Sequence, residues 1–209
     1  MPELHNVVRH QVHENRTKTG RVSATVTRKI ANYLAYGRGR PAQQRQREPR
    51  GTWLDQNSQP RTHDAVIAWV AQEGKTQRYT HQLILSVKDE WLTPEAYNRA
   101  LAAGEAFFTE WRLMAHTDTS YSHAHVITFG DKQIRFKGES FRDWWLTVRQ
   151  ALETEREASL AQRTAVPEHS LSQELVPAAG AEQSHSLQPE LATTQPQQEA
   201  EAALGMEWE

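Results

Sequence analysis

The stretch that most constrains this chain is the ten-residue run His116 to His125, H-T-D-T-S-Y-S-H-A-H. It leads into Val126, Ile127, Thr128 and Phe129, a β-branched and aromatic series that reads as a strand from His123 to Phe129. In a strand, side chains two apart share a face, so His123 and His125 point the same way. His116, seven residues earlier, can return to that face across a short connection. A lone H-x-H is more often a surface or packing feature. Three imidazoles and one carboxylate within ten residues point instead to a metal, because neutral imidazole is the commonest protein ligand for a divalent ion near pH 7. His116, His123 and His125 are the expected ligands, with Asp118 placed to orient a ring from behind.

The chain has 209 residues, room for one domain with appendages and a real core. It has no cysteine, which excludes disulfides and thiolate zinc sites. No apolar run is long enough to span a membrane and the first residues carry no signal-like core, so a cytoplasmic protein without membrane insertion is expected. Charge is unevenly spread. Residues 1–50 hold 11 Lys and Arg against 3 acids, whereas residues 165–209 hold 8 acids and no base. A basic front suits a polyanion, and an acidic, Gln-, Ala- and Pro-rich end suits solvated chain. The expected organisation is a polar N-terminal arm over 1–24, a folded domain over 25–160, and a disordered acidic tail over 161–209.

Along the domain, Thr25 to Gly37 reads as a short helix, with Val26, Ile30, Tyr33 and Leu34 at helical spacing and glycine as the stop. Arg38 to Arg50 packs Arg38, Arg40, Arg45, Arg47 and Arg50 among glutamines and prolines, which reads as a loop able to track phosphates. His63 to Glu73 is helical in spacing, and Thr80 to Val87 alternates as a strand. Thr93-Pro94-Glu95 starts a helix expected to run to about Leu113, with Tyr97, Leu101, Phe108 and Trp111 on its stripe. Gly130-Asp131-Lys132 reads as a hairpin turn into Gln133 to Phe136. Glu139 to about Ser159 is an amphipathic helix, with Phe141, Trp144, Trp145, Val148 and Leu152 as its core face. His5, His10 and His13 are expected to be solvated. The order predicts an α+β fold: an antiparallel sheet with helices on one face and the histidines on the other, open one.

The spacing His116-x-Asp118, then His123-x-His125, resembles the metal motif of plasmid relaxases in the HUH endonuclease superfamily. Asn32-Tyr33-Leu34-Ala35-Tyr36-Gly37-Arg38-Gly39-Arg40 is similar to the family's nucleophile helix, a tyrosine before a basic, glycine-containing segment. The strand and proline-initiated helix from Leu83 to Glu95 also match, and Ser86 stands where a polar phosphate contact is often found. The match spans about residues 25 to 155. Ser122 and Phe129 stand where several relatives have proline and asparagine, neither a presumed ligand.

The resemblance implies an RRM- or ferredoxin-like core and a site-specific, single-strand DNA endonuclease that acts at a plasmid transfer origin. Tyr33 would be the nucleophile, with Tyr36 as the alternative, and the product a 5′-phosphotyrosine that starts conjugative mobilisation. Arg28, Lys29, Arg38, Arg40, Arg45, Arg47, Arg50 and Ser86 would contact the DNA, with exposed rings such as Tyr36 or Trp53 stacking on bases. The implied cofactor is Mg²⁺ or Mn²⁺, although three imidazoles by their softness predict that purified protein also holds Zn²⁺. Relaxosome accessory proteins and a secretion coupling protein are the implied partners. Two other readings stay open. One is a replication-initiation nickase of the same superfamily; the other is a non-catalytic DNA-binding accessory protein with a structural metal. An iron oxygenase fits poorly, because there the distal histidine lies far downstream.

Overall fold

The computed structural model describes residues 5–17, 19–44, 46–104, 107–116, 122–132, 134 and 138–165. Among them, six strands form one sheet: β1 (Asn6–Glu14), β2 (Trp53–Asp55), β3 (Pro60–Arg61), β4 (Tyr79–Val87), β5 (Trp111–His116) and β6 (His123–Gly130). Their spatial order is β1-β4-β6-β5-β2-β3, and every pairing is antiparallel. The helices are α1 (Thr25–Tyr36), α2 (Pro41–Gln44), α3 (His63–Thr76), α4 (Pro94–Ala102) and α5 (Glu139–Ala165). The α+β class with an antiparallel sheet is therefore as the sequence predicts.

The alternation along the central strands divides the core in two. Leu83, Leu85, Leu113, Ala124 and Val126 face one way and pack under α4 and α5, with Tyr97, Phe141, Trp144, Val148 and Leu152. Met114 and Ile127 face the other way, under Ile30, Ala31 and Leu34 of α1 and Val66 and Val70 of α3. Each fully buried aliphatic side chain in these layers contributes about 1.5–3 kcal/mol relative to exposure. The expected helical face is the α4–α5 layer. A second, partial layer of α1 and α3 lies over the face expected to be open, and it ends at the histidines.

Three segments depart from the sequence expectation. The helix begun at Thr93 is capped as predicted, with Thr93 Oγ1 accepting from Ala96 N at 3.2 Å, but it ends at Ala102 and does not reach Leu113. Gly104 lies just beyond the end, and a Cβ there would strike the indole of Trp144. Trp111 to His116 is strand β5, its Trp111 and Leu113 buried toward α4 and α5 and its Met114 toward α1 and α3. The N-terminal stretch is no polar arm throughout: Asn6 to Glu14 is the edge strand β1. Nor is His10 solvated, since it is 8 % exposed with its Nε2 2.9 Å from Nδ1 of His81. Finally, the basic segment after α1 contains a single helical turn, Pro41–Gln44. The expected strand Gln133–Phe136, apart from Ile134, and the tail from residue 166 lie outside the described residues.

Candidate metal centre

The registers that pair β4, β6 and β5 bring the three predicted ligands onto one patch. His123 stands opposite His116 on one side and Ser86 on the other, while His125 lies between Met114 and Ile84. One nitrogen from each of His116, His123 and His125 falls within 4.8 Å of the others. Their ring centroids are 4.8, 5.0 and 5.1 Å apart, with steep mutual angles of 53°, 81° and 83°. Rings so inclined do not stack on one another.

Burial grades across the patch. His116 is 1 % exposed and His125 9 %, while His123 is half-buried. His116 Nε2 lies 2.9 Å from the carbonyl oxygen of Leu34. A carbonyl only accepts, so this nitrogen carries the proton and Nδ1 keeps the lone pair that a metal needs. Burial holds the pKa of His125 well below the usual imidazole value, helped by the neighbouring His116, His123 and Arg50. His125 Nδ1 is buried with no hydrogen-bond partner among the described residues. An imidazole that burial keeps neutral, with a buried nitrogen of this kind, fits a divalent cation.

The carbonyl that fixes His116 belongs to the predicted nucleophile helix. The last carbonyls of a helix have no partner within it, and here each finds a different donor. Tyr33 O accepts from Gly37 N at 2.8 Å, Leu34 O from His116, Ala35 O from Arg50 N at 2.7 Å, and Tyr36 O from Arg47 Nη1 at 3.0 Å. Gly37, at φ 72°, supplies the left-handed residue that ends the helix. The negative end of the α1 dipole thus sits at the histidines, where it favours a cation.

The two tyrosines have different surroundings. Tyr36 meets the ring of His63 edge-on, with centroids 4.8 Å apart. Burial and the nearby carboxylates of Asp64 and Glu48 raise its pKa, which disfavours the phenolate. Tyr33 is half-buried and packs beside the α1–α3 core. His63, read from sequence only as a helix start, accepts from Trp53 Nε1 at 3.2 Å and donates from Nε2 to Asn32 Oδ1 at 2.9 Å. It thereby ties α3 to the residue before Tyr33. No periodicity could reveal that link.

Of the predicted DNA contacts, Arg28, Lys29, Arg38 and Arg40 are exposed on α1 and the following turn. Arg47 is also exposed, but its Nη1 donates to the carbonyls of Tyr36 and Arg38 at 3.0 and 2.8 Å, so it braces the loop. Arg50 is half-buried beside the centre. Ser86 Oγ donates to Ser122 O at 3.0 Å and borders His123. Asp118 and Arg45 lie outside the described residues. Trp53, expected as a stacking ring, is 1 % exposed in the α1–α3 core and is no stacking platform. Sequence reasoning also missed Gly51. A Cβ there would stand 2.5 Å from Ala115 O and 3.2 Å from Met114 Cγ, so only glycine lets this segment press against β5.

No protein-family model matches the chain, and none of the curated proteins matches it. The fold and the site define a class on their own: an α+β protein whose open antiparallel sheet carries a three-histidine group able to hold a metal ion. Among the described residues no helix is long and apolar enough to cross a membrane.

Proposed function

We propose that this chain is a metal-dependent, relaxase-like DNA nickase that cuts one strand at a plasmid transfer origin and keeps the 5′ end on a tyrosine. The observation that carries the reading is the 2.9 Å bond between His116 and the carbonyl of Leu34, the residue next to Tyr33. It joins the candidate metal centre to the candidate nucleophile helix. Asn32 is turned toward α3 by its bond to His63.

His116, His123 and His125 would hold the metal, and when bound it would supply positive charge beside a phosphodiester. Mn²⁺ or Mg²⁺ is the proposed working ion, with Zn²⁺ bound in purified samples. The Tyr33 phenol loses its proton to water, and its oxygen forms a bond to phosphorus. The bond from phosphorus to the 3′ oxygen breaks, and the electron pair leaves on that oxygen, which takes a proton from water. The products are a free 3′-hydroxyl and a 5′-phosphotyrosine, whose ester bond stays available for religation. Arg28, Lys29, Arg38 and Arg40 would steer single-stranded DNA by its phosphates. Cytoplasmic action, with relaxosome accessory and coupling proteins as partners, belongs to the same proposal.

The burial of His116 and His125 favours one competing reading, a structural metal in a non-catalytic DNA-binding protein. Such a site is closed by four protein ligands. The lesser burial of His123 supports instead a centre that substrate can reach. Nicking of a supercoiled plasmid that carries the transfer origin separates the two. The catalytic reading expects relaxation that needs the metal and is blocked in Tyr33→Phe; metal binding without any nick supports the structural one.

A further inference from the structure

The backbone of Arg50 is held from two sides. Its N–H donates to Ala35 O at 2.7 Å, in the last turn of α1 and two residues past Tyr33. The next residue, Gly51, is pressed against the carbonyl of Ala115, the neighbour of His116. Residue 50 is thus pinned between the end of the nucleophile helix and the strand that presents His116. Its Cδ lies 3.9 Å from where a Gly37 side chain would begin. Its charge is felt at His125. Arg38 and Arg40 stand exposed on the preceding turn, and Arg47 braces that turn.

We infer that Arg50 is a catalytic residue for the reaction proposed above, gripping a non-bridging oxygen of the scissile phosphodiester across from the histidines. The inference rests on the nicking function. As the Tyr33 oxygen bonds to phosphorus and the bond to the 3′ oxygen breaks, charge concentrates on the non-bridging oxygens. A guanidinium meets two such lone pairs with parallel N–H groups and keeps its protons throughout. A donor aimed at charge that develops only during the reaction acts on the rate far more than on binding.

The test is single-turnover cleavage of a labelled single-stranded oligonucleotide spanning the nick site, with Mn²⁺, by the full chain. The proteins are wild type, Arg50→Gln, Arg50→Lys and Arg40→Gln. For Arg50→Gln the expected result is cleavage slowed about a hundredfold, with affinity for uncleaved oligonucleotide changed no more than about threefold. Arg50→Lys should recover part of the rate. Arg40→Gln should weaken binding and reduce its salt dependence by about one phosphate contact. A stereospecific slowing by sulfur at one non-bridging oxygen should shrink in Arg50→Gln. Cleavage by Arg50→Gln at the wild-type bound-state rate overturns the assignment alone. A wild-type chain that binds Mn²⁺ and cleaves nothing overturns the nicking function, and this role with it.

Discussion

His116 Nε2 donates a 2.9 Å hydrogen bond to the carbonyl oxygen of Leu34, across 82 residues of sequence. Strand β5 and helix α1 are joined there by a side chain that is also a candidate metal ligand. A cation held by Nδ1 would polarise the ring and strengthen the N–H that grips Leu34. Metal loading would in this way be coupled to the placement of Tyr33.

That coupling is measurable by amide hydrogen exchange. Saturating Mn²⁺ should slow exchange in the last turn of α1 as well as in β5 and β6, and chelation should reverse it. At a hundred times its dissociation constant the ion should stabilise the fold by about 2.7 kcal/mol. His125→Ala should abolish both effects. Protection confined to β5 and β6 would contradict the coupling.

Tyr33→Phe should reduce nicking about a thousandfold or more, because it removes the phenol oxygen proposed to form the covalent link. Tyr36→Phe should stay within about tenfold of wild type, since burial, Asp64 and Glu48 hold the Tyr36 proton on. Plasmid relaxation assays on the two variants decide between them, and the opposite order would reassign the nucleophile to Tyr36.

The buried pair His10 and His81 should make stability fall in acid. Burial lowers the pKa of His10 from 6.5 to about 4, and burial with the neighbouring His10 and His13 lowers that of His81 from 6.5 to about 3. In the unfolded chain both titrate near 6.5, so between 6.5 and about 4 the unfolded state binds more protons. The stability is present above pH 6.5 and is lost as pH falls toward 4 and 3. The loss from His10 alone is on the order of 3 kcal/mol. Thermal unfolding from pH 7.5 to 4.5 should show the drop, and His81→Gln should flatten it. An unchanged slope in that variant would place the acid sensitivity elsewhere.

Gly51→Ala should cost about 1–3 kcal/mol, because a Cβ 2.5 Å from a backbone oxygen forces β5 and its approaching segment apart. Denaturant unfolding measures the loss. Manganese affinity should fall with it, because Ala115 adjoins His116. Wild-type stability in Gly51→Ala would show that the segment can move aside freely.

Much of the centre was legible because strand alternation is local. His123 and His125 had to share a face once Val126 to Phe129 read as strand, and α1 announced itself by Ile30, Leu34 and Gly37. Strand β5 was hidden because Tyr97, Leu101, Phe108 and Trp111 happen to fit a helical stripe; Gly104 was the one local sign of the break. Strand β1 was hidden because its buried side carries Asn6 and His10 along with Val8. Those polar groups find distant partners, Arg149 and Glu153 for Asn6 and His81 for His10. The burial of Trp53 and the bond from His63 to Asn32 are likewise products of packing between elements, which no local pattern encodes.

The most direct test of the whole account is mass spectrometry of the protein after reaction with origin-bearing plasmid and Mn²⁺. The account predicts a nucleotide linked through phosphate to Tyr33, formed only with metal and absent from His125→Ala. Metal-dependent nicking with no covalent tyrosine adduct, or an adduct on a residue far from α1, would contradict it.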